Sequence, residues 1–501
     1  MGVPGLWAEF ASVATHTTWD EVAWRAYRTH GRPLRLGIDA ALWLFHVKKA
    51  QGGARPELRA LFYRLARLLE KPIEPLFVFD GPQRPHFKRN ARVHGVTRPI
   101  ERQLCGMLDA FSFAHCTAPG EAEAELAWLN ERGAVDAVLT DDVDFFVFGG
   151  RTAYRQTSED ALAVYDVGRL GVDRNALALI ALLAGGDYDT RGMPKCGIKT
   201  AFSLAAAGYG ARLVDAFKSG GSALVAWRSD VCAELTDNPS GRLARRMPRL
   251  AADMVHAFPQ DTLRGVISYY IDPIISGVMP IISTRPLQVG DLAQCVSTLF
   301  QWPPDTAARR MERIYPGIFL RQILAHGDDA APIPPREQHT PKNALAHRSD
   351  KSPSSPQISL ITDYFAAVSM HSPPRKSSVT RVDSIHHGTD GRIEMVRIVI
   401  DCAAYAREVE YALGVGSAQK QQHVWLHESI VKSHSQLRSC LLAYQARTSP
   451  RKRDQKRASG GQRSLEDYFR PAPVKSAESL FLPKKSGDDS VEFIGVHRGG
   501  T

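Results

Sequence analysis

From the start of the chain to about residue 330, short apolar runs alternate with amphipathic stretches, and this alternation constrains the fold more than any other feature. Apolar runs bounded by helices read as buried strands joined by crossovers, which predicts an α/β domain with a mainly parallel sheet flanked by helices. The strand candidates are Leu34 to Asp39 (LRLGID), Pro75 to Asp80 (PLFVFD), Phe111 to His115 and Ala134 to Thr140 (AVDAVLT). Helices are expected over 57–71 (ELRALFYRLARLLEK) and 120–133 (GEAEAELAWLNERG), the second starting after Pro119 and stopping at Gly133. Beyond residue 176, ALALIALLAGGDYD and KTAFSLAAAG read as further helices, so the later part of this core is expected to be mainly helical.

The length of 501 residues suits two or three folded units, and 44% hydrophobic content supports at least one large core. No run approaches the ~20 apolar residues of a bilayer crossing. MGVPGLWAEF lacks the form of a signal peptide, and Leu6 stands where a myristoylation signal has Ser or Thr, so a soluble chain without a lipid anchor is expected. Seven scattered cysteines without a CxxC pair suggest neither a disulfide framework nor a zinc cluster. Residues 331–391 shift to Pro, Ser and His, the composition of a disordered linker. Residues 392–446 regain β-like runs (EMVRIVID, EVEYAL, HVWL) and a helix-like ESIVKSHSQLRSCLLAY, a small α+β module. Residues 447–501 are a basic, disordered tail. Most of the net charge of +10 lies in the C-terminal third, with 25 Lys+Arg against 17 Asp+Glu over residues 331–501, which is compatible with nucleic acid.

Acids stand at the ends of the expected strands. Asp39 ends LRLGID, Asp80 ends PLFVFD, and TDDVD after AVDAVL supplies Asp141, Asp142 and Asp144; Glu121 and Glu123 open a helix, and Asp187 lies in GGDYD. A single strand-end Asp is ordinarily a turn or cap residue. Six or seven carboxylates on one rim are another matter, because each pair ~4 Å apart costs about 4 kcal/mol at an effective dielectric of ~20. Cations must compensate. Without His or Cys among them, these donors point to Mg²⁺ or Mn²⁺, and two such ions suit phosphodiester hydrolysis. Glu121 and Glu123, two positions apart, face away from each other on an ideal helix. Both reach one site only if the helix begins irregularly, and Glu125 is the geometric alternative.

MGVPGLW, LGIDAALWL, FVFDGPQRP, APGEAEAELAWLN, LTDDVDFFVFG and LLAGGDYD followed by GMPKCGIKTA resemble, in order, the XPG/flap-endonuclease superfamily of structure-specific nucleases. The resemblance implies a PIN-like nuclease core, with an XPG N-terminal region over 1–110, an internal region over 111–185, and a helix-two-turn-helix and helical completion over 186–330. It implies a two-metal site of Asp39, Asp80, Glu121, Glu123, Asp142, Asp144 and Asp187, with Mn²⁺ able to replace Mg²⁺. Asp142, Asp144 and Asp187 fall mainly to one ion, Glu121, Glu123 and Asp80 to the other, with Asp39 supporting. Asp141 is left out of this set, and Gly2 is expected close to the site.

The turn GMPKCGIKTAFSLA is a geometry in which backbone N–H groups can face a phosphate, and its spacing is not that of an ATP-binding P-loop. By resemblance it grips the duplex backbone, with Gly192, Met193, Gly197 and Ile198 around a K⁺ ion and Lys195 and Lys199 on phosphates. The basic segment from Arg84 to Arg102 is expected to arch over the site, with Lys88 and Arg89 or Arg92 steering the scissile phosphate. The shortness of this arch and PQRPHFKRN resemble the Holliday-junction-resolvase branch, whose fungal and animal members continue into a chromodomain, the place occupied here by 392–446.

In the tail, QRSLEDYF (Gln462, Leu465, Tyr468, Phe469) fits a PCNA-clamp box, LITDYF (360–365) a degenerate copy, and SPRKRDQKR (449–457) a nuclear-localisation cluster. The expected protein is thus a nuclear, Mg²⁺-dependent endonuclease of branched DNA, monomeric in solution and paired on four-way junctions. The rivals are a replication-fork flap endonuclease and a catalytically silent, clamp-recruited DNA-binding scaffold.

Overall fold

A computed structural model describes residues 2–326 and 379–448, apart from 86, 89–90, 93–98, 221, 258–259, 389–392 and 417–418. In chain order the strands are β1 (Thr15–Thr18), β2 (Leu34–Asp39), β3 (Ile73–Phe79), the short hairpin β4 (Phe87–Lys88) and β5 (Ala91–Arg92), β6 (Ala114–Thr117), β7 (Ala137–Leu139), β8 (Thr152–Gln156), β9 (Ala161–Asp166), and then β10 (Val379–His387), β11 (Ile393–Asp401) and β12 (Gln421–His427).

The central sheet runs β1-β9-β8-β7-β2-β3-β6. The five strands from β8 to β6 are parallel, and β9 and β1 add an antiparallel edge. The chain winds outward from β2 through β3 to β6 and returns on the other flank of β2 as β7, so the winding reverses between β2 and β7. Ligands of open α/β sheets bind outside the carboxyl ends of strands at such a reversal. Register fixes what arrives there. Asp39 pairs with Val78 and Ile38 with Leu139, so Asp80 and Asp142 each lie two residues beyond the level of Asp39.

Alternation along the strands feeds two cores. Leu36, Ile38, Phe77 and Leu139 enter one cluster with helices Pro56–Leu69 and Pro99–Ala110; Leu76, Val78 and Val138 enter the other with helices Ala122–Glu131 and Arg174–Ala184. Each fully buried side chain of this kind contributes about 1.5–3 kcal/mol.

Expected and observed elements differ at informative places. The strand expected over Phe111 to His115 is Ala114–Thr117, because 111–113 close the preceding helix: Ser112 has φ 54° and the Phe113 amide bonds to Leu108 O at 2.8 Å. EVEYAL, expected as β, is the end of helix Ala403–Leu413; its buried residues Tyr405 and Val409 recur at helical spacing, whereas Tyr411 points outward at 73% exposure. Strand β10 falls inside 331–391, expected as linker, so the C-terminal module starts earlier than residue 392.

This module is a β10-β11-β12 antiparallel sheet with helices Ala403–Leu413, Glu428–Ser433 and Ser435–Thr448. It shares the first core cluster instead of building its own. Tyr405 Oη donates to Gln322 Oε1 at 2.7 Å, Gln422 Nε2 to Glu312 O at 2.7 Å, and the His427 ring stacks on Trp24 at 5.6 Å. Glu408 accepts the Val289 amide at 3.2 Å, capping helix Val289–Phe300, whose own N-cap Gln288 makes no side-chain bond. Among the described residues no helix is long and apolar enough to cross a membrane.

Candidate active site

Seven carboxylates meet at the carboxyl edge of the sheet, each placed by its element. Asp39 closes β2 and caps helix Ala40–Val47 through Oδ1, which accepts the amides of Ala41 (2.8 Å) and Leu42 (3.4 Å). Asp80, just past β3, takes Arg84 Nη1 on Oδ2 at 2.8 Å and the Ala122 amide on Oδ1 at 3.0 Å. Asp142 Oδ1 accepts the Asp144 amide at 3.0 Å, and Asp144 Oδ1 accepts the Val3 amide at 3.0 Å.

The conflict between Glu121 and Glu123 resolves at the helix start. Glu121 is the N-cap of helix Ala122–Glu131 with extended backbone (φ −85°, ψ 139°), so it escapes the helical fan and reaches the same centre as Glu123. Glu125 does not join them; it accepts the amide of Ser276 at 2.8 Å and its hydroxyl. Tyr188 donates its hydroxyl to Glu121 Oε2.

At the centre lies Lys88. Its Nζ contacts Glu121 Oε1 at 2.8 Å, Glu123 Oε2 at 2.9 Å and Asp187 Oδ2 at 3.1 Å. The arch was expected to aim Lys88 at a phosphate; the structure sets its ammonium among the acids. Burial works to lower its pKa and is outweighed by Glu123, Glu121, Asp142 and Asp187, which keep it charged. One ammonium and the Arg84 guanidinium against seven carboxylates (7 − 2) leave five negative charges if all ionise. The surplus of negative charge and the burial bear on the carboxyl groups themselves. Burial, then the Asp80 charge, pushes Asp39 up to about 7. Burial raises Glu123 well above the carboxylate range against the pull of Lys88, and burial followed by Asp142 and Asp187 does the same to Asp144.

These residues suit hard divalent cations. All donors are oxygens. Asp144 Oδ2 is buried without a hydrogen-bond partner among the described residues, and a lysine ammonium stands in as a cation. The oxygens around it sit at ammonium distance, and among the described residues no group of three or more His, Cys, Asp or Glu is already arranged to hold a metal ion.

Asp141 stays outside this group, as expected. It pairs with His46 at 2.9 Å and Arg155 at 3.3 Å, which against burial hold its carboxyl below the usual range. Gly2 is pressed on the site: at φ +82° a Cβ there would lie 2.3 Å from Asp144 Oδ1 and 2.5 Å from Asp142 Oδ1. Three residues further, the place of a Gly5 Cβ is 3.5 Å from Ile198 Cγ2, so one short segment touches both the acids and the glycine-containing turn.

In that turn Gly192 has φ +54°, and buried Met193 bonds its amide to Leu183 O at 2.8 Å. Gly197 is the N-cap of helix Ile198–Ala206 and offers no side chain, leaving the first-turn amides to other partners. Lys199 is exposed, and Lys195 pairs with Asp253 at 3.0 Å. Arg92 lies on β5, where only its backbone is described; Arg89 lies outside the described residues, as do 331–378 of the linker and 449–501 of the tail, with Gln462, Leu465, Tyr468 and Phe469. The sequence reading missed Arg84 as partner of Asp80 and Tyr188 as partner of Glu121, although Tyr188 directly follows Asp187.

Residues 1–101 match the XPG N-terminal domain and residues 112–187 the XPG I-region. The two XPG domain matches thus take in both the strands that end on Asp39 and Asp80 and the segment that carries Glu121, Glu123, Asp142, Asp144 and Asp187. Flap endonuclease GEN homolog 1 of Homo sapiens is 30% identical over 235 residues, 41% of this chain and 25% of that protein. Flap endonuclease 1 of Methanococcoides burtonii is 26% identical over 208 residues, 32% of this chain and 61% of that protein. The chain thus spans about a quarter of the length of the human relative. Among solved structures, the eukaryotic junction-resolving enzyme GEN-1 with sodium covers 89% of this chain and 99% of its own at 26% identity and TM-score 0.66. The Holliday junction-resolving enzyme GEN1 with product DNA and Mg²⁺ covers the same shares at 26% identity and TM-score 0.63.

Proposed function

We propose that this protein is a structure-specific DNA endonuclease that hydrolyses phosphodiester bonds at branched DNA, four-way junctions and 5′ flaps, with two Mg²⁺ ions, in repair and recombination. The observation that carries the reading is the meeting of seven carboxylates from separate elements at the sheet's winding reversal, with more negative charge than Lys88 and Arg84 balance. Mg²⁺ or Mn²⁺ held by these carboxylates would supply the polarisation of a water and the neutralisation of charge on the leaving oxygen.

The chain's own residues do the rest. Asp142, Asp144 and Asp187 would hold one ion, Glu121, Glu123 and Asp80 the other, with Asp39 supporting from the carboxyl end of β2. Lys88, kept charged among the acids, supplies a positive contact to the scissile phosphate. Exposed Lys199, Lys195 and the uncapped first turn of helix Ile198–Ala206 contact the duplex backbone, with K⁺ held near Gly192, Met193, Gly197 and Ile198. In support, the structural relatives include GEN1 with product DNA and Mg²⁺ and GEN-1 with potassium. The junction-resolvase branch would cut as two copies on one four-way junction. Nuclear import through 449–457 and clamp binding through Gln462, Leu465, Tyr468 and Phe469 complete the reading.

The test is incubation of purified protein, Asp142→Asn and Asp187→Asn with labelled four-way, flap, nicked and linear DNA, with and without Mg²⁺. Both variants are expected to lose cutting and keep binding. Cutting that survives either substitution or needs no divalent ion overturns the metal assignment. Equal cutting of linear and branched DNA overturns the substrate class.

A further inference from the structure

Beyond the residues matched to the XPG regions, helix Gln260–Ile271 brings to the acids a buried polar group that the proposed mechanism leaves without a task. Tyr270, on helix Gln260–Ile271, is 1% exposed, and its hydroxyl has no hydrogen-bond partner among the described residues. A phenylalanine would fill such a dry pocket without stranding a hydroxyl, whose burial unpaired costs stability.

The hydroxyl faces the acids. A Cβ placed on Gly186, the neighbour of Asp187, would fall 2.2 Å from Tyr270 Oη and 3.6 Å from Val3 Cγ2. Val3 in turn donates its amide to Asp144 Oδ1 at 3.0 Å, while Asp144 Oδ2 has no partner among the described residues. Tyr270 Oη and Asp144 Oδ2, not hydrogen-bonded to each other in this structure, therefore border the same Val3–Gly186 contact, with the Asp187 amide also beside the hydroxyl oxygen.

The ring is fixed for this task. Tyr188 packs edge-on at 4.8 Å, Phe148 lies at 6.0 Å, and Arg174 Nη2 bonds to the carbonyls of Tyr270 and Ile271 at 3.1 Å each.

We propose that Tyr270 is a positioning residue of the acidic centre: its hydroxyl donates to the Asp144 carboxylate and fixes the orientation of that side chain as divalent ions bind. The inference rests on the two-metal reading above. Outer partners that orient a ligand typically govern metal affinity by 10–100-fold.

The experiment compares full-length wild type, Tyr270→Phe and Asp187→Asn by thermal melting without divalent ion and across a Mg²⁺ series, with free Mn²⁺ followed by electron paramagnetic resonance. Wild type should gain stability with ion. Tyr270→Phe should melt at the wild-type temperature or above without ion, yet need about tenfold more ion for half-maximal stabilisation and bind Mn²⁺ about tenfold more weakly. Unchanged ion affinity, or an equal loss of melting temperature with and without ion, overturns the positioning role. If Asp187→Asn still abolishes the ion response in that case, the two-metal reading stands without it. A wild type indifferent to both ions overturns the two-metal reading and the role of Tyr270 together.

Discussion

Strand β3 carries an acid near its start and another just past its end, and the two are treated oppositely. Glu74, 3% exposed, meets Arg321 through both oxygens at 3.1 and 3.2 Å, and Arg321 also donates to Ser112 O at 2.6 Å and Arg285 O at 2.8 Å. One charge answers one charge, and their hydrogen bonds are made. At the other end Asp80 joins six further acids around Lys88 and Arg84, where charges do not balance and Asp144 Oδ2 is stranded. A balanced buried pair ties elements together; an unbalanced cluster is destabilised until cations arrive. Exposure alone does not tell the two apart, since Glu74 and Asp187 are 3% and 2% exposed.

The sharpest way to break this contrast is at the balanced end. Arg321→Met leaves Glu74 buried and alone, and urea unfolding should show a loss of about 3–5 kcal/mol, most of it recovered when Glu74→Leu is added. A loss below about 1 kcal/mol would mean that the pair is not buried as described. Next in size is Gly2→Ala, whose methyl group would collide with Asp142 and Asp144. Single-turnover cutting of a flap or junction should slow by about a hundredfold with DNA affinity retained.

At the unbalanced end the sign reverses. Asp144→Asn removes a buried carboxyl that folding must either protonate far above its ordinary pKa or leave charged beside Asp142 and Asp187, so the ion-free protein should gain about 1 kcal/mol in urea unfolding even as cutting is lost. Destabilisation by the same substitution would erase the distinction.

The smallest effect belongs to Glu408 at the seam between core and module. Burial raises its pKa against the Val289 and Gly290 amides. The folded state therefore binds its proton more tightly than the unfolded state, and this group's contribution falls as pH rises from about 4.5 through the raised value. Glu408→Gln should match wild type near pH 4 and be the more stable near pH 7, as read from urea midpoints at the two values.

Much of the centre was legible in the chain itself. Alternating apolar runs ending on Asp39 and Asp80, and TDDVD after a third run, place carboxylates at one sheet edge because parallel strands share a direction. The tension between Glu121 and Glu123 was also legible; its resolution was not, because whether Glu121 lies inside or before the helix depends on the contacts that end the preceding loop, including Asp80 on the Ala122 amide. EVEYAL misled for a related reason. Its period-2 pattern is real, yet the core it meets selects Tyr405 and Val409, and a short segment follows the surface that buries it.

What the sequence determined alone was the βα alternation, the acidic character of one edge and an oxygen-only donor set, since these follow from residue types and local periodicity. Only the tertiary structure decided that Lys88 stands among the acids, that Glu125 turns away to Ser276, and that Tyr270 comes beside Asp187 from a distant helix. Each of those depends on close contacts between segments far apart in the chain, and such distances are set by how whole cores pack.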